Sequence, residues 1–209
     1  MTPKELQKII TQYSGNLPFI DRLLMNWRPR ICPFHLLIET VPPDAKVLDV
    51  GSGTGLMLFL LSYFNRISMG LGIEVHPGKN KIAQSLPWKD NRVSFCHVQP
   101  NDTWPVTDID CILMIDVLHH IPPEQQRAFL ERIRQSQANT VIFKDINPRK
   151  KCKALMNTLH DVALSRQIPH YLEPDTVSSW LQEMGFTDIQ ISYPEMLWYS
   201  HYLIVAKKT

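Results

Sequence analysis

Apolar and polar positions along this chain fall into blocks that switch between strand and helix patterning. From position 46 onward, short runs rich in Val, Ile and Leu alternate with longer helix-forming stretches. The order predicts strand Lys46–Val50, helix Thr54–Phe64, strand Ser68–Glu74 and a short helix over Gly78–Ser85. Strands Arg92–Val98 and Ile109–Ile115, helix Pro123–Arg134 and strand Asn139–Phe143 follow. Such β-α-β alternation argues for an α/β fold, a parallel sheet with helices on both faces. The tail changes character. Helices near Lys151–Ser165 and Glu173–Met184, the second closed by Gly185 as a C-cap, lead into strands Thr187–Ser192 and Tyr199–Ala206. The short loop around Pro194 between these strands reads as a hairpin. Ahead of the first strand, residues 1–40 read as mainly helical and broken at Pro18, Pro29 and Pro33. The division expected is a helical cap over 1–40 and one main domain over 41–209, with no repeats and no linker.

Composition narrows the class. With 209 residues and a hydrophobic fraction of 44%, the chain is long enough to bury a sizeable single core. A net charge of +2 singles out neither a nucleic acid nor a strongly acidic partner. Cys32, Cys96, Cys111 and Cys152 are scattered with no C-x-x-C pair, which suits a reducing compartment and gives no metal site. The polar start, Met1 to Thr11, has no signal-peptide core, and no apolar run has the ~20 residues of a membrane span. A soluble, cytoplasmic protein is expected.

The densest chemical signal is Val47-Leu48-Asp49-Val50-Gly51-Ser52-Gly53-Thr54-Gly55. An apolar strand ends in a carboxylate, passes through three glycines and feeds a helix. That arrangement lets a ligand lie against bare backbone at a helix N-terminus. A dinucleotide fingerprint would need Gly or Ala three places after Gly53. Leu56 stands there instead, which disfavours a nucleotide-cofactor oxidoreductase. About twenty residues on, the strand ending Gly72-Ile73-Glu74 supplies a second carboxylate where nucleotide-binding α/β folds hold ribose hydroxyls. Asp49 and Glu74 could equally be a helix cap and a strand-end surface residue.

The order Asp-x-Gly-x-Gly-x-Gly from Asp49 to Gly55 resembles motif I of the class I S-adenosylmethionine (SAM)-dependent methyltransferases. Gly72-Ile73-Glu74 fits the same family, and so does Asp110-Cys111-Ile112-Leu113-Met114-Ile115-Asp116-Val117-Leu118-His119-His120-Ile121-Pro122, which resembles its fourth strand and following turn. The resemblance covers residues 46–207 and implies a Rossmann-like, doubly wound, seven-stranded sheet, mostly parallel, with an antiparallel last strand beside the fifth. It implies SAM as cofactor and S-adenosylhomocysteine as product. Asp49, Gly51, Ser52, Gly53 and Gly55 would border the methionine end, Glu74 and Val75 the ribose, and Asp116 and Val117 the methionine end again. Where the family usually has an Asp near the adenine amino group, this chain has Gln99, with Asp102 as the other choice. A Gln carbonyl accepts the same hydrogen bond without charge. Val98 and Trp104 could wall the adenine ring or simply be core.

Methyl transfer from a sulfonium needs positioning and exclusion of water, and a hydroxyl acceptor gains from a general base. His119, His120, Asp145, His160 and His170 are the candidates, with His119 and Asp145 foremost. Asp145 could instead cap a helix or pair with Lys144, and the two histidines of the turn could simply pack. Aromatic residues of the cap (Tyr13, Phe19, Trp27, Phe34), of the 151–171 segment and of the late loop suit a small apolar or aromatic acceptor, free or carrier-bound. Replacement of the amide-methylating Asn-Pro-Pro-Tyr/Phe motif by Asp116-Val117-Leu118-His119 mildly favours oxygen or carbon acceptors. The basic run Arg149–Lys153 reads as a solvated helix start or as a dock for an acidic carrier or membrane surface. A methyltransferase-like binding protein without catalysis is the remaining alternative.

Overall fold

A computed structural model describes residues 3–86, 90–105, 108–150 and 169–209. These residues form two compact units, 1–102 and 103–209. The fold is Rossmann-like α/β, with mostly parallel strands and antiparallel pairing at the C-terminal end.

The first unit begins with three helices, α1 (Pro3–Tyr13), α2 (Phe19–Ile31) and α3 (Phe34–Thr40). Buried Leu6, Ile10 and Tyr13 recur at helical spacing along α1, so one face is held by packing and not by propensity. Pro29 does not break the segment as expected. It is buried, and α2 runs through it to Ile31 because packing outweighs one missing hydrogen bond. Pro18 and Pro33 do mark helix starts.

Strand β1 (Ala45–Val50) pairs in parallel with β2 (Ile67–Glu74), which pairs in parallel with β3 (Val93–His97). Helix α4 (Leu56–Tyr63) connects β1 to β2, and every residue from Leu56 to Ser62 is buried. Each fully buried Leu there contributes about 1.5–3 kcal/mol. Helix α5 (Pro77–Ser85) starts with Pro at its first position, and the His76 ring accepts hydrogen bonds from the Gly78 and Lys79 amides.

In the second unit β4 (Cys111–Ile115) pairs in parallel with β5 (Thr140–Ile146). Helix α6 (Pro123–Glu131) lies between them in sequence. Helix α7 (Pro174–Glu183) ends in a paired cap: Gly185 at φ 92° donates to the Gln182 carbonyl, and the Phe186 amide donates to Leu181. Strand β8 (Tyr199–Lys207) then enters between β5 and β6 (Asp188–Ser192), antiparallel to both. The expected antiparallel last strand beside the fifth is therefore present. Among the described residues there are eight strands and not seven, because the Pro194 loop holds a two-residue strand, β7 (Glu195–Met196), paired with β8. The helix expected at 151–165, with His160, lies outside the described residues, as do Arg166 and Cys152.

Candidate functional site

Chain direction builds the site of the first unit. β1 carries Asp49 into the sheet at 3% exposure, and the chain then leaves the sheet as both the Gly51 and Ser52 amides donate to the Ile73 carbonyl. The glycine loop is clasped by Glu74. Its carboxylate accepts from the Gly53 amide at 2.8 Å and from the His76 amide at 2.8 Å. Two acids thus converge on one loop. Burial, then the neighbouring Glu74, push the Asp49 carboxyl up to about 7, while the Arg28 charge on α2 pulls it down.

The glycines have distinct reasons. At Gly53 (φ 58°) a Cβ would meet no protein atom within 4 Å, so the backbone there is uncovered by side chains. At Gly55 (φ 85°) a Cβ would overlap the Phe95 ring, and at Gly72 it would come within 2.5 Å of the same ring. Gly55 therefore serves the packing of a β3 phenylalanine, a constraint that spacing alone does not reveal. The Ser52 hydroxyl is buried with no partner among the described residues and lies toward Gly72 on β2. Only the backbone of Ser52 is left to face a ligand. Val75 is exposed. Gln99 is exposed too, and its backbone amide donates to Asp102 Oδ2 at 2.7 Å, which ties Asp102 into the local turn.

The N-terminal helix α1 reaches this loop. Tyr13 donates to the Thr54 carbonyl at 2.6 Å and stacks on Phe59 at 4.2 Å between ring centroids. Burial pushes its hydroxyl pKa up, so it remains a donor.

A second cluster stands in the second unit. His119, one turn past β4, places Nδ1 2.6 Å from Asp145 Oδ1 at the end of β5, and both side chains are buried. Asp145 also accepts from the Ile146 amide. The rings of His120 and Tyr171 lie 4.1 and 5.4 Å from that of His119. The His170 amide donates to the His119 carbonyl, and Gln126 spans the Leu118 and His170 carbonyls, so segment 169–171 is fastened to the turn. Asp145 does not pair with Lys144. Alternation along β5 sends the two side chains to opposite faces, and Lys144, 1% exposed, instead binds Asp116 at 2.6 Å. Asp116 takes a left-handed φ of 58°, and its amide donates to the Lys144 carbonyl. Val117 is half-buried.

Tyr202 was not legible as a site residue. It is opposite Asp145 in the β5–β8 register, is fully buried, and its hydroxyl has no hydrogen-bond partner among the described residues. Burial, then the Asp145 charge, push that hydroxyl pKa up. Strand alternation along β8, read against β5, is the signal that would have found it. Trp104 proves to be core of its unit. It meets Phe129 of α6 edge-on at 5.2 Å and lies under Arg132. Of the basic run, Arg149 pairs with Glu173 at 2.7 Å and with Asp175, Lys150 lies 3.2 Å from Glu195, and Lys151 to Lys153 lie outside the described residues.

Comparisons with known proteins converge. A family described as a methyltransferase domain matches residues 21–191. Magnesium protoporphyrin IX methyltransferase from Synechocystis, solved with S-adenosylhomocysteine, superposes with a TM-score of 0.70 at 14% identity, over 97% of this chain and 93% of that one. Human N-acetylserotonin methyltransferase, solved with SAM, gives 0.68 at 17% identity, over all of this chain and 60% of that one. A SAM-dependent methyltransferase from Archaeoglobus fulgidus gives 0.65 at 17% identity, over 84% and 91%. No curated protein matches by sequence.

Proposed function

Since the chain belongs to the methyltransferase-domain family and is a SAM-dependent methyltransferase, we propose that it methylates a small apolar or aromatic acceptor at oxygen, with His119 as general base. The observation that carries this reading is the buried His119–Asp145 pair. A carboxylate 2.6 Å from Nδ1 keeps the proton on that nitrogen and leaves the lone pair at Nε2. Nε2 then takes the acceptor's hydroxyl proton as the O–CH3 bond forms and the S–CH3 bond breaks. Asp145 stabilises the imidazolium that results. An N- or C-methyl acceptor of high acidity would need no such pair.

SAM, when bound, supplies a methyl group already activated on a sulfonium. The chain's own part is to hold and orient it. Asp49 offers a carboxylate to its cationic groups, Gly51 to Gly55 offer backbone, and Glu74 exchanges one amide partner for ribose hydroxyls. Val75 and Gln99 flank the adenosine side. Asp116 and Val117 at the end of β4 belong to the same function, with Lys144 fixing the direction of the Asp116 carboxylate. The glycine loop fits the group because its bare face at Gly53 is open. Residues 1–40 act as a cap held on the loop through Tyr13, and the main domain runs from 41 to 209. Soluble, cytoplasmic small-molecule metabolism fits a chain in which no described helix is long and apolar enough to cross a membrane.

The test is transfer of a labelled methyl from SAM to panels of phenols, carboxylic acids and carbon acids, with calorimetric titration of SAM beside it. Turnover of a hydroxyl or carboxyl acceptor that His119→Ala suppresses supports the reading. SAM binding with no turnover of any panel would favour a binding protein, and turnover of carbon acids alone would move the acceptor atom.

A further inference from the structure

Helix α2 also presents an exposed apolar row. On α2, Phe19, Leu23 and Trp27 are 70%, 60% and 39% exposed. Their spacing of four places them along one side of the helix, opposite in role to buried Met25 and Pro29. Single exposed apolar residues need no explanation, but a row of three large ones on one helix does. Arginines flank the row. The Arg22 guanidinium lies 5.8 Å from the Phe19 ring centroid and that of Arg30 lies 4.7 Å from Trp27. Across residues 3–31 five basic side chains (Lys4, Lys8, Arg22, Arg28, Arg30) stand against two acidic ones (Glu5, Asp21).

From this we infer that the outer face of α2 docks on an anionic lipid surface. A convex row of Phe, Leu and Trp bordered by arginine is what an interfacial helix presents. The apolar side chains enter the acyl boundary, and the guanidinium groups stay at the level of the phosphates. A second copy of this chain fits poorly, since an antiparallel two-fold contact centred on this row would bring the arginines of one copy, Arg22 and Arg30, toward those of the other. The docking is peripheral, resting on three side chains and a few charges, and salt therefore weakens it.

Sedimentation of the full-length chain with vesicles tests this. Binding to phosphatidylglycerol-rich vesicles at low salt, at least tenfold stronger than to pure phosphatidylcholine, is expected. Leu23→Glu should reduce that binding at least tenfold, and each of Arg22→Gln and Arg30→Gln about fivefold, the equivalent of about 1 kcal/mol per charge near the surface. Thermal midpoints of these variants should match the parent, because the three side chains lie outside the core; Phe19→Ser serves in place of any variant that does not match. Equal binding to both vesicle types, or unchanged binding of Leu23→Glu, would overturn the inference. So would the absence of vesicle binding, whether the chain then associates with itself through this face or captures an acidic protein. None of these readouts involves methyl transfer, so the inference and the proposed reaction fail separately.

Discussion

On the proposed reading, His119 with Asp145 and the buried Asp49 carry separate parts of the chemistry, and Asp49 gives binding a pH dependence. Removing a general base costs about 10²–10⁴-fold in rate, so His119→Ala and Asp145→Asn should each lower kcat by that order while leaving SAM affinity within about twofold. Asp145→Asn acts through the tautomer: an amide no longer holds the proton on Nδ1 by charge and no longer stabilises the imidazolium. A loss below tenfold in both would mean that positioning alone drives transfer. Asp49 gives a different signature. Its carboxyl, held up at about 7, is largely protonated in the free protein below that pH. The cations of SAM favour the ionised form, so binding releases a proton, and affinity should fall about tenfold per pH unit below about 7. Calorimetry in buffers of different ionisation enthalpy counts that proton. Asp49→Asn should bind weakly at every pH with no slope, and a parent protein that is equally flat would disprove the linkage.

At the scale of elements, the loop is shaped by two demands that look alike in sequence. Gly55→Ala faces both a positive φ and overlap with Phe95, and should destabilise the fold by about 2–4 kcal/mol. Gly53→Ala meets no protein atom and should cost only about 1–2 kcal/mol of conformational strain while weakening SAM binding. Denaturant midpoints separate the two, and Phe95→Leu should restore part of the Gly55→Ala loss as a coupling of about 0.5–3 kcal/mol. This contrast shows what was legible. Period-two and helical patterning placed β1, β2, β4, β5 and the late hairpin because each is long or strongly apolar. The carboxylates at β1 and β2 were legible because the loop between them is so glycine-rich. Three-dimensional partners were not. Nothing local says that Lys144 chooses Asp116 over its neighbour Asp145, that Tyr202 faces Asp145, or that Tyr13 reaches back across about forty positions to Thr54. Pro29 misled for the reverse reason, since a local breaker yielded to tertiary burial. β7 was invisible because two residues carry no period.

For the molecule as a whole, cofactor and proton each stabilise the fold, and each reduces what the other adds. Asp49 has a raised carboxyl in the folded state, so the folded chain holds more protons than the unfolded one between about 4 and 7. On this group's account the free protein gains stability as pH falls through that window and loses it again as pH rises through 7. Saturating SAM should add about 2.7 kcal/mol at a hundredfold excess over its Kd, which for a chain of this length raises Tm by about 5–10 °C. At pH 8 the full shift is expected and at a pH near 6 a smaller one at the same SAM concentration. Scanning calorimetry at the two values checks the sign, and a larger shift at the lower pH would refute it.

The place of β8 also bears on how the protein is made. Strand β6 reaches β5 only through β8, which pairs with β5 over His201–Lys207 and with β6 over Leu203–Lys207. A chain emerging from the ribosome exposes the edges of β5 and β6 to whatever is near until residue 207 is free. The β1–β2 and β2–β3 pairings of the first unit need only residues up to 97, whereas the β5–β8–β6 pairing of the second must wait for residue 207. Truncations or stalled chains lacking the final strand should therefore be the aggregating species and the natural clients of chaperones that shield strand edges.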